Sequence, residues 1–539
     1  MSEQEFDYII VGAGSSGSVL ANKLSEDPNT RVLLLEAGRD DKYRWVQIPL
    51  GMGRLLTDEQ FVWPFYTEPE PELHDQRVYW PRGRLLGGSS SVNGMLFVRG
   101  GAHRYDEWRD GNTPGWGFDE VLPYFKEIED RPGGDPQYRG TGGPVTISNS
   151  DTSDPLSNAF VKACVEFGTY ENPDYNDAKF EGVGRLQINT RNGQRCSAAK
   201  AYLDPARGRP NLQIATHAMA TRVEMEGKTA RGVHYLRDGV AQYASATREV
   251  LLSAGPIVSP KLLELSGIGR GEVLREHGID VIHDLPGVGE NLQDHLQNRI
   301  TYETNVPVTV NDIMNSRLRG ALAGLRYMMF KTGWLSQSVA TVHALVRSKP
   351  ELPHPDVKLQ ILMASGKDRY SNSKKVGLDP FSGFNIGVFQ LYPHSKGSVH
   401  IQSTDANVHP KIHANYLSDP RDGEVVLRGL QMAREVAAQP ALSPYIVREV
   451  RPGPQATSDE ALMDYARETA QTSWHPISSC RMGRGPHDVV DHELKVHGTD
   501  RLRVIDSSIM PNMPSSNTNA PSIMIGAKGA DLVKASARA

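Results

Sequence analysis

Three glycines near the start of the chain, Gly12, Gly14 and Gly17, have the spacing of a phosphate-binding turn. They follow an apolar run at residues 7–11 and precede a helical pattern, and Glu36 lies about 20 residues further on, as in dinucleotide-binding units. Such glycines let backbone N–H groups approach a pyrophosphate at a helix N-terminus, and the acid accepts from ribose hydroxyls. We therefore predict a dinucleotide site, with a purely structural turn as the alternative. NAD and FAD both fit this unit, whereas the acid disfavours the 2′-phosphate of NADP.

The elements around this turn have the pattern of strand, helix and strand. Apolar runs at 7–11 and 32–35 flank a helical segment, which predicts a βαβ unit with parallel strands. Further strands are predicted between 212 and 254 and, as an antiparallel sheet, between 356 and 402. Residues 50–150 are rich in Gly, Pro and Trp and are predicted to form long ordered loops.

The composition excludes several classes of protein. The chain has 539 residues and a net charge of −5, with no basic stripe that would bind nucleic acid. Three cysteines without a CxxC pair exclude a disulfide framework and a thiolate zinc site, and the His409/His413 pair lacks a helical context, so we expect no metal. The chain shows no secretory signal and no apolar run long enough to span a membrane, so a cytoplasmic location is expected.

The segment 317–331 places Leu318, Leu322, Leu325 and Met329 on one side of a predicted helix. Such a helix either packs its apolar side against the core or lies at a membrane interface. We expect packing against the core. Peripheral contact with the inner face of the membrane is the alternative.

Five further motifs identify a family. Gly-Arg-Leu-Leu-Gly-Gly-Ser-Ser at 83–90 and Gly-Pro-Ile-Val-Ser-Pro at 255–260 resemble the two signatures of the glucose-methanol-choline (GMC) flavin oxidoreductases. Residues 286–295, Trp-His-Pro at 474–476, and the stretch 506–521 with its Asn-Thr-Asn-Ala-Pro ending support the resemblance. It runs from residue 7 to about 535, and the wording is most similar to bacterial choline, sorbose and long-chain alcohol dehydrogenases.

The resemblance implies a bound FAD. Val92 stands where some members have a histidine that bonds covalently to FAD, so the cofactor is expected to be non-covalent. Val223 resembles a position that meets the adenine, although a plain core valine is an equal alternative. Asp506 resembles a residue that contacts FAD, with a turn cap as the alternative. The expected cofactor-binding residues are Gly12, Gly14, Gly17, Glu36, Arg84 near the phosphates, Gly87, Gly88, Ser89, Asn93 near the reactive edge of the flavin, Val223, Asp506 and Ala520.

Two residues are expected to do the chemistry. Histidine takes up a proton near neutral pH, and alcohol oxidation needs an alkoxide-like oxygen before hydride leaves carbon. His475 in the Trp-His-Pro motif resembles the catalytic base of the family, and Asn519 resembles its partner, which orients or polarises the substrate oxygen. A helix that begins with Asn519 as N-cap would point its positive end at the pyrimidine edge of the flavin.

The implied fold is α/β with two domains. A discontinuous, Rossmann-like FAD-binding domain comprises residues 1–155, 196–298 and 468–539, and an antiparallel-sheet substrate domain comprises residues 156–195 and 299–467. The implied reaction oxidises a primary alcohol to the aldehyde, with hydride passing to flavin N5. Electrons then pass to a quinone-like or dye-like acceptor, or to O2.

Alternative functions stay open at this point. A hydroxynitrile lyase-like FAD enzyme, an alcohol oxidase that uses O2, a flavoprotein without turnover, and an NAD-dependent dehydrogenase all fit part of the pattern. The identity of the alcohol, whether choline, sorbose, aliphatic or aromatic, is not fixed by the sequence.

Overall fold

Two large β-sheets form the framework of the molecule. The computed structural model describes residues 4–151, 153–367 and 377–538. The strands are β1 Gln4–Val11, β2 Val32–Leu35, β3 Val62–Tyr66, β4 Tyr79–Gly83, β5 Glu129–Asp130, β6 Val145–Asn149, β7 Gly182–Arg185, β8 Gln187–Arg191, β9 Gln194–Arg195, β10 Leu212–Ala215, β11 Ala218–Glu226, β12 Thr229–Arg237, β13 Val240–Leu252, β14 Ile268–Gly269, β15 His283–Asp284, β16 Leu296–Thr304, β17 Ala340–Val346, β18 Val357–Leu362, β19 Gly383–Gln390, β20 Ser398–His400, β21 Lys411–His413, β22 Ile446–Arg451, β23 Gln471–Thr472 and β24 Leu502–Val504.

Helices cover both sheets. The helices are α1 Ser15–Leu24, α2 Arg44–Gln47, α3 Met52–Leu55, α4 Ala102–Asp110, α5 Phe118–Ile128, α6 Pro155–Phe167, α7 Asp204–Ala206, α8 Gly255–Leu265, α9 Gly271–Glu276, α10 Val310–Met314, α11 Arg317–Phe330, α12 Pro420–Ala437, α13 Asp459–Thr469 and α14 Asn519–Ser536. The first and last of these, α1 and α14, pack so closely that a Cβ at Gly526 would lie 2.8 Å from the Cα of Ser16.

The first sheet has the order β10-β2-β1-β13-β12-β11, with β24 paired to β13. Strands β10, β2, β1, β13 and β24 run parallel, and β11 and β12 add an antiparallel hairpin. Val11 pairs with Leu35 and with Leu252, so the carboxyl ends of three strands meet at one edge. The predicted βαβ unit is present, and this edge carries its glycine turn.

The second sheet is antiparallel, as predicted, and has the order β22-β16-β19-β18-β17-β7, with β23 paired to β16. Helix α12 packs on β19, β16 and β18. The prediction of long loops for residues 50–150 is wrong in part, because helices α4 and α5 and the β3–β4 hairpin occupy much of that stretch.

The strands of the two sheets can be compared with the predicted domain segments. Strands of the first sheet lie within the three segments expected to form the FAD-binding domain. Strand β16 begins at Leu296 and β23 spans Gln471–Thr472, so the second sheet extends slightly beyond the expected limits of the substrate domain. The exact domain boundaries stay a prediction.

Helix α11 does not pack its apolar side against the core, which corrects the expectation for residues 317–331. Tyr327 is its only buried residue, while Leu318 is 70% and Met328 is 68% exposed. The apolar side is therefore open on the outer surface. Among the described residues, no helix combines the length and the apolar character needed to cross a bilayer.

Candidate active site

A long cleft begins at the carboxyl edge of the first sheet and continues between the two sheets. One part, which we call the nucleotide cavity, is lined by the glycine turn, Glu36 and the start of α8. The other part, which we call the substrate cavity, is lined by His475 and by side chains from β16, β18 and β19. The two cavities adjoin, since both are lined by Ser15, Arg82, Ser89, Ser507 and Ser522.

Glycine is required where backbone segments meet in the nucleotide cavity. Gly12 has φ +97°, and a Cβ there would lie 2.6 Å from the carbonyl oxygen of Ser253. A Cβ on Gly88 would lie 2.8 Å from the Cα of Gly14, so the two glycine-rich turns touch. Gly17 does not line the cavity. Its Cβ would lie 1.9 Å from the oxygen of Gly12, which is the close helix–strand packing expected of the third glycine.

Glu36 follows β2 directly and its carboxylate points back along the glycine turn. One oxygen accepts from the N–H of Ala13 at 3.0 Å and the other from the N–H of Gly38 at 2.8 Å. Burial raises the pKa of Glu36 to about 7, against the lowering effect of these two bonds. The carboxylate lines the nucleotide cavity, and each oxygen has a second lone pair for a ribose hydroxyl.

Asp506, Ser89 and Asn93 line the cleft as expected. Asp506 follows β24 and lines the nucleotide cavity. Its carboxylate accepts from the N–H of Gly255 at 2.9 Å, which holds the second signature motif beside this cavity, and it also caps a short helical turn. Ser89 lines both cavities. Asn93 lines the substrate cavity, and buried Arg195 holds its side-chain oxygen at 2.9 Å, a positioning contact that the sequence did not predict.

Besides Gly17, four expected cofactor residues lie outside the walls of these two cavities. The guanidinium of Arg84 stacks 4.2 Å from the Trp63 ring and lines a separate surface depression instead. Val223 uses its N–H to bond Ser266 and is a core valine, whereas Ala218–Ala220 of the same strand line the nucleotide cavity. Gly87 and Ala520 also do not line either cavity. Gly87 has φ +84°, and a Cβ there would lie 2.2 Å from the Ser91 hydroxyl. Ala520 is fully buried.

Helix α14 begins at Asn519, and the residue before it, Thr518, occupies the N-cap position that we expected Asn519 to fill. The Asn519 side-chain oxygen accepts from the Ser15 hydroxyl at 2.8 Å. Its Nδ2 group is buried and has no hydrogen-bond partner among the described residues. A buried unpaired donor is costly, so this group fits the acceptor of a bound ligand. The glycine cradle, Glu36 and this donor together fit FAD and would hold it if it were bound.

His475 lies in the substrate cavity with both ring nitrogens engaged. Nδ1 is 3.0 Å from Nδ1 of His295, and Nε2 is 2.9 Å from Nδ2 of Asn517. The backbone N–H of His475 donates to buried Asp294 at 2.7 Å, which fixes the segment that carries the ring. The structure therefore pairs His475 with Asn517, and not with Asn519 as the sequence analysis expected.

The hydrogen-bond partners define which nitrogen of His475 carries its proton. The carbonyl oxygen of Leu391 can only accept, so Nε2 of His295 donates to it at 3.0 Å. Burial lowers the pKa of His295 to about 4, so its other nitrogen is an acceptor and Nδ1 of His475 donates to it. Nε2 of His475 is then unprotonated and accepts from the Asn517 Nδ2 group at 2.9 Å.

Electrostatics keep His475 neutral. Burial is the main cause that lowers its pKa well below the usual range, and the neighbouring His295, Lys358 and Arg82 side chains act in the same direction. Asn517 is oriented by Lys358, whose Nζ donates to its side-chain oxygen at 3.0 Å. The amide N–H is thereby turned towards His475. The cavity thus offers an unprotonated imidazole nitrogen beside an amide N–H donor.

Asn517 is a candidate site residue that the sequence analysis did not single out. It stands two residues before Asn519 in the same Asn-Thr-Asn motif, in the irregular segment that precedes α14. Both asparagines line the substrate cavity, and the division of roles between them stays a prediction. Residues two apart face the same side of an extended segment, so no sequence periodicity distinguishes which of the two contacts the histidine.

Comparisons with known proteins agree with this arrangement. Family models described as GMC oxidoreductase match residues 6–297 and 393–526. The chain is 39% identical over 531 residues to the alcohol dehydrogenase [acceptor] of Pseudomonas putida, covering 98% of this chain and 95% of that protein. It is 41% identical over 540 residues to the oxygen-dependent choline dehydrogenase of Paraburkholderia xenovorans, covering 99% and 95%.

Solved structures show the same fold. The crystal structure of pyridoxine 4-oxidase from Mesorbium loti superimposes with a TM-score of 0.88 at 31% identity and covers 98% of both chains. These matches confirm the resemblance drawn from the motifs, the two-domain α/β fold class and the prediction of an oxidoreductase. The chain belongs to the GMC oxidoreductase family.

Proposed function

We propose that this protein oxidises a primary alcohol to the aldehyde with a non-covalently bound FAD. The observation that carries the proposal is the unprotonated Nε2 of His475 beside the Asn517 amide, in a cavity that joins the nucleotide cavity. FAD, when bound, supplies an acceptor for the hydride of the carbinol carbon. Val92, at the wall of the substrate cavity, offers only carbon atoms, which supports non-covalent binding.

The protein contributes proton transfer and positioning. Nε2 of His475 takes the hydroxyl proton, and the Asn517 N–H donates to the oxygen as negative charge develops on it. Nδ1 of His475 stays bonded to His295, so the ring keeps its orientation when it becomes charged. In this proposal Asn519 and the N-terminus of α14 hold the cofactor edge, and Asn517 takes the substrate-orienting role that the resemblance assigned to Asn519.

The alternatives differ in what happens to electrons. A lyase would need no hydride acceptor, and neither named relative is a lyase, so oxidation is favoured. The relatives named alcohol dehydrogenase [acceptor] and oxygen-dependent choline dehydrogenase differ in electron acceptor. We favour a dehydrogenase that reduces a quinone-like or dye-like acceptor, with O2 as the competing acceptor.

Anaerobic mixing of the purified yellow protein with primary alcohols tests the proposal. We expect the flavin absorbance to bleach, and a dye to restore it faster than air does. An intact oxidised flavin with every alcohol, together with cleavage of a cyanohydrin, would establish the lyase instead. A colourless protein that takes up no FAD on reconstitution would contradict the assignment of the cofactor.

We further propose that α11 docks on an anionic membrane surface. Its exposed apolar side is flanked by Arg317, Arg319, Arg326 and Lys331, and no acidic residue occurs between Asp312 and Glu351. The exposed apolar side chains are Leu318, Leu322, Leu325, Met328, Met329 and Phe330. Cationic residues beside an exposed apolar side suit the interface of a bilayer that contains anionic lipids.

Vesicle sedimentation tests the docking surface. We expect the protein to sediment with phosphatidylglycerol-containing vesicles and to be released when Leu322 and Met329 are both changed to Glu. Val240→Glu is the matched control, because Val240 is 60% exposed elsewhere on the surface. If the double variant sediments like the wild type, the membrane is not the partner. If the wild type forms dimers that the double variant loses, a second copy covers this helix.

A further inference from the structure

Lys358 is a buried lysine in the wall of the substrate cavity, and burial lowers the pKa of its ammonium group to about 7. It lies on β18, its residue is 2% exposed, and its Nζ lies 3.0 Å from the Asn517 side-chain oxygen and 3.4 Å from the Ser516 hydroxyl. The ring of Phe389 lies 5.2 Å from the same nitrogen. Within the described ranges, no carboxylate lies within salt-bridge distance of Nζ. All the partners of this lysine are therefore uncharged.

The rest of the substrate cavity does not supply the missing negative charge. Arg82 and Arg299 also line it, and its described lining contains no aspartate or glutamate. Asp294, behind His475, is occupied by that residue's backbone N–H and by the hydroxyls of Tyr416 and Thr472. Burying a charge without a counter-charge is costly, which is why the pKa of Lys358 is lowered, and a ligand carboxylate beside Nζ would favour the charged form.

Sheet register places Lys358 beside open space. On β19, Phe389 pairs with Lys358 on one side and Gln297 on the other, and Gly387 pairs with Gln360 and Arg299. Since alternate residues face the same side of a sheet, the side chains of Lys358, Gln360, Phe389, Gln297 and Arg299 form the floor of the cavity. A Cβ at Gly387 would lie 3.1 Å from the Phe389 ring and 3.3 Å from Nε2 of Gln297, so neighbouring side chains fill the space beside this glycine.

We propose that the substrate is a short hydroxy acid whose carboxylate binds Lys358 while its hydroxyl binds His475 and Asn517. This inference rests on the proposed function, because the hydroxyl is placed by the catalytic pair. One amide group, that of Asn517, separates Nζ of Lys358 from Nε2 of His475, so few carbons separate the two substrate groups. A quaternary ammonium such as choline finds no carboxylate in the described lining and meets the charge of Lys358.

Three alcohols of similar length but different charge can be compared as substrates of the FAD-loaded enzyme. We expect anaerobic flavin reduction to favour 4-hydroxybutyrate over 1,4-butanediol by at least about 10-fold in kcat/KM, and choline to be the poorest. Butyrate, which cannot be oxidised, should compete with the hydroxy acid, whereas tetramethylammonium should not. Preference for butanediol or choline over the hydroxy acid in the wild-type enzyme would overturn the inference without any variant.

Lys358→Met tests the residue itself. We expect the preference for the hydroxy acid and the inhibition by butyrate to disappear, and Lys358→Arg to restore both in part. Lys528→Met is the matched control, since Lys528 is a buried lysine outside both cavities. Equal slowing with all substrates would show that Lys358 only orients Asn517. If no alcohol reduces the flavin, the proposed function fails. Calorimetry with butyrate then still tests whether Lys358 binds a carboxylate, because the wild type should bind butyrate and Lys358→Met should not.

Discussion

At the scale of single residues, a chain of hydrogen bonds runs from the carbonyl of Leu391 through His295, His475 and Asn517 to Nζ of Lys358. Because the carbonyl can only accept and Nζ donates, the donor and the acceptor of each bond in the chain are fixed. His475 is therefore held in one tautomer before substrate arrives. Because these groups are already oriented, they do not have to reorient during the reaction, and this lowers the activation barrier.

Removal of the His475 imidazole should slow flavin reduction by about 10²–10⁴-fold, because a positioned general base contributes that range. His475→Ala is measured by anaerobic stopped flow at saturating alcohol, with FAD content determined in parallel. A reduction rate close to that of the wild type, with full FAD content, would remove His475 from the mechanism.

The two asparagines should have different effects when each is changed to alanine. Asn517→Ala removes a donor that meets the reacting oxygen, so flavin reduction should slow by about 10-fold or more while FAD stays bound. Asn519→Ala removes the buried Nδ2 donor, so we expect weaker FAD retention and a smaller effect on the rate of the loaded enzyme. The two variants are controls for each other, and the reverse pattern would restore the role first expected for Asn519.

At the scale of elements, the cofactor cradle is formed by two turns from distant parts of the chain. The turn between β1 and α1 touches the short helical turn that starts at Gly88, and a side chain on Gly88 would not fit at the contact. Helix α1, which follows the first turn, packs on α14 by the same use of glycine at Gly526. Cofactor binding and helix packing therefore depend on the same close backbone contacts.

Gly88→Ala should reduce FAD retention by 10-fold or more. The new Cβ would lie 2.8 Å from the Cα of Gly14, and the φ of +51° strains a residue with a side chain. Gly208→Ala is the control, since a Cβ there meets nothing within 4 Å. Flavin content after gel filtration is the measurement. Equal flavin content in both variants would mean that the turns move apart without cost.

The same elements show which features sequence could and could not predict. Gly12, Gly14 and Gly88 were predicted because backbone contact leaves a compositional signature at fixed spacing. The choice between Asn517 and Asn519 depends on side-chain direction in an irregular segment, which no periodicity encodes. Exposure of α11 was missed because an apolar helix side has the same pattern whether a core or a membrane covers it.

At the scale of the whole molecule, ion pairs join segments expected to belong to different domains. His400 on β20 lies 2.6 Å from Glu264 of α8 and 3.1 Å from Glu290. The N–H of Ile401 also donates to Glu264 at 2.8 Å. This cluster closes the side of the cleft formed by α8, whose first residues line the nucleotide cavity. Its protonation state should therefore affect the stability of the assembled protein.

The contribution of His400 should depend on pH in a defined direction. Burial opposes its charged form, but the bonds to Glu264 and Glu290 raise the pKa to about 9. A raised histidine pKa stabilises the folded state fully below the unfolded value of about 6.5 and loses that stabilisation as pH rises through 9. We expect the difference in free energy of unfolding between wild type and His400→Gln, measured with urea on the holoenzyme, to shrink by about 2–3 kcal/mol between pH 6 and 10. A difference that stays constant over this range would mean that His400 is neutral in the folded protein and holds the cleft only through uncharged hydrogen bonds.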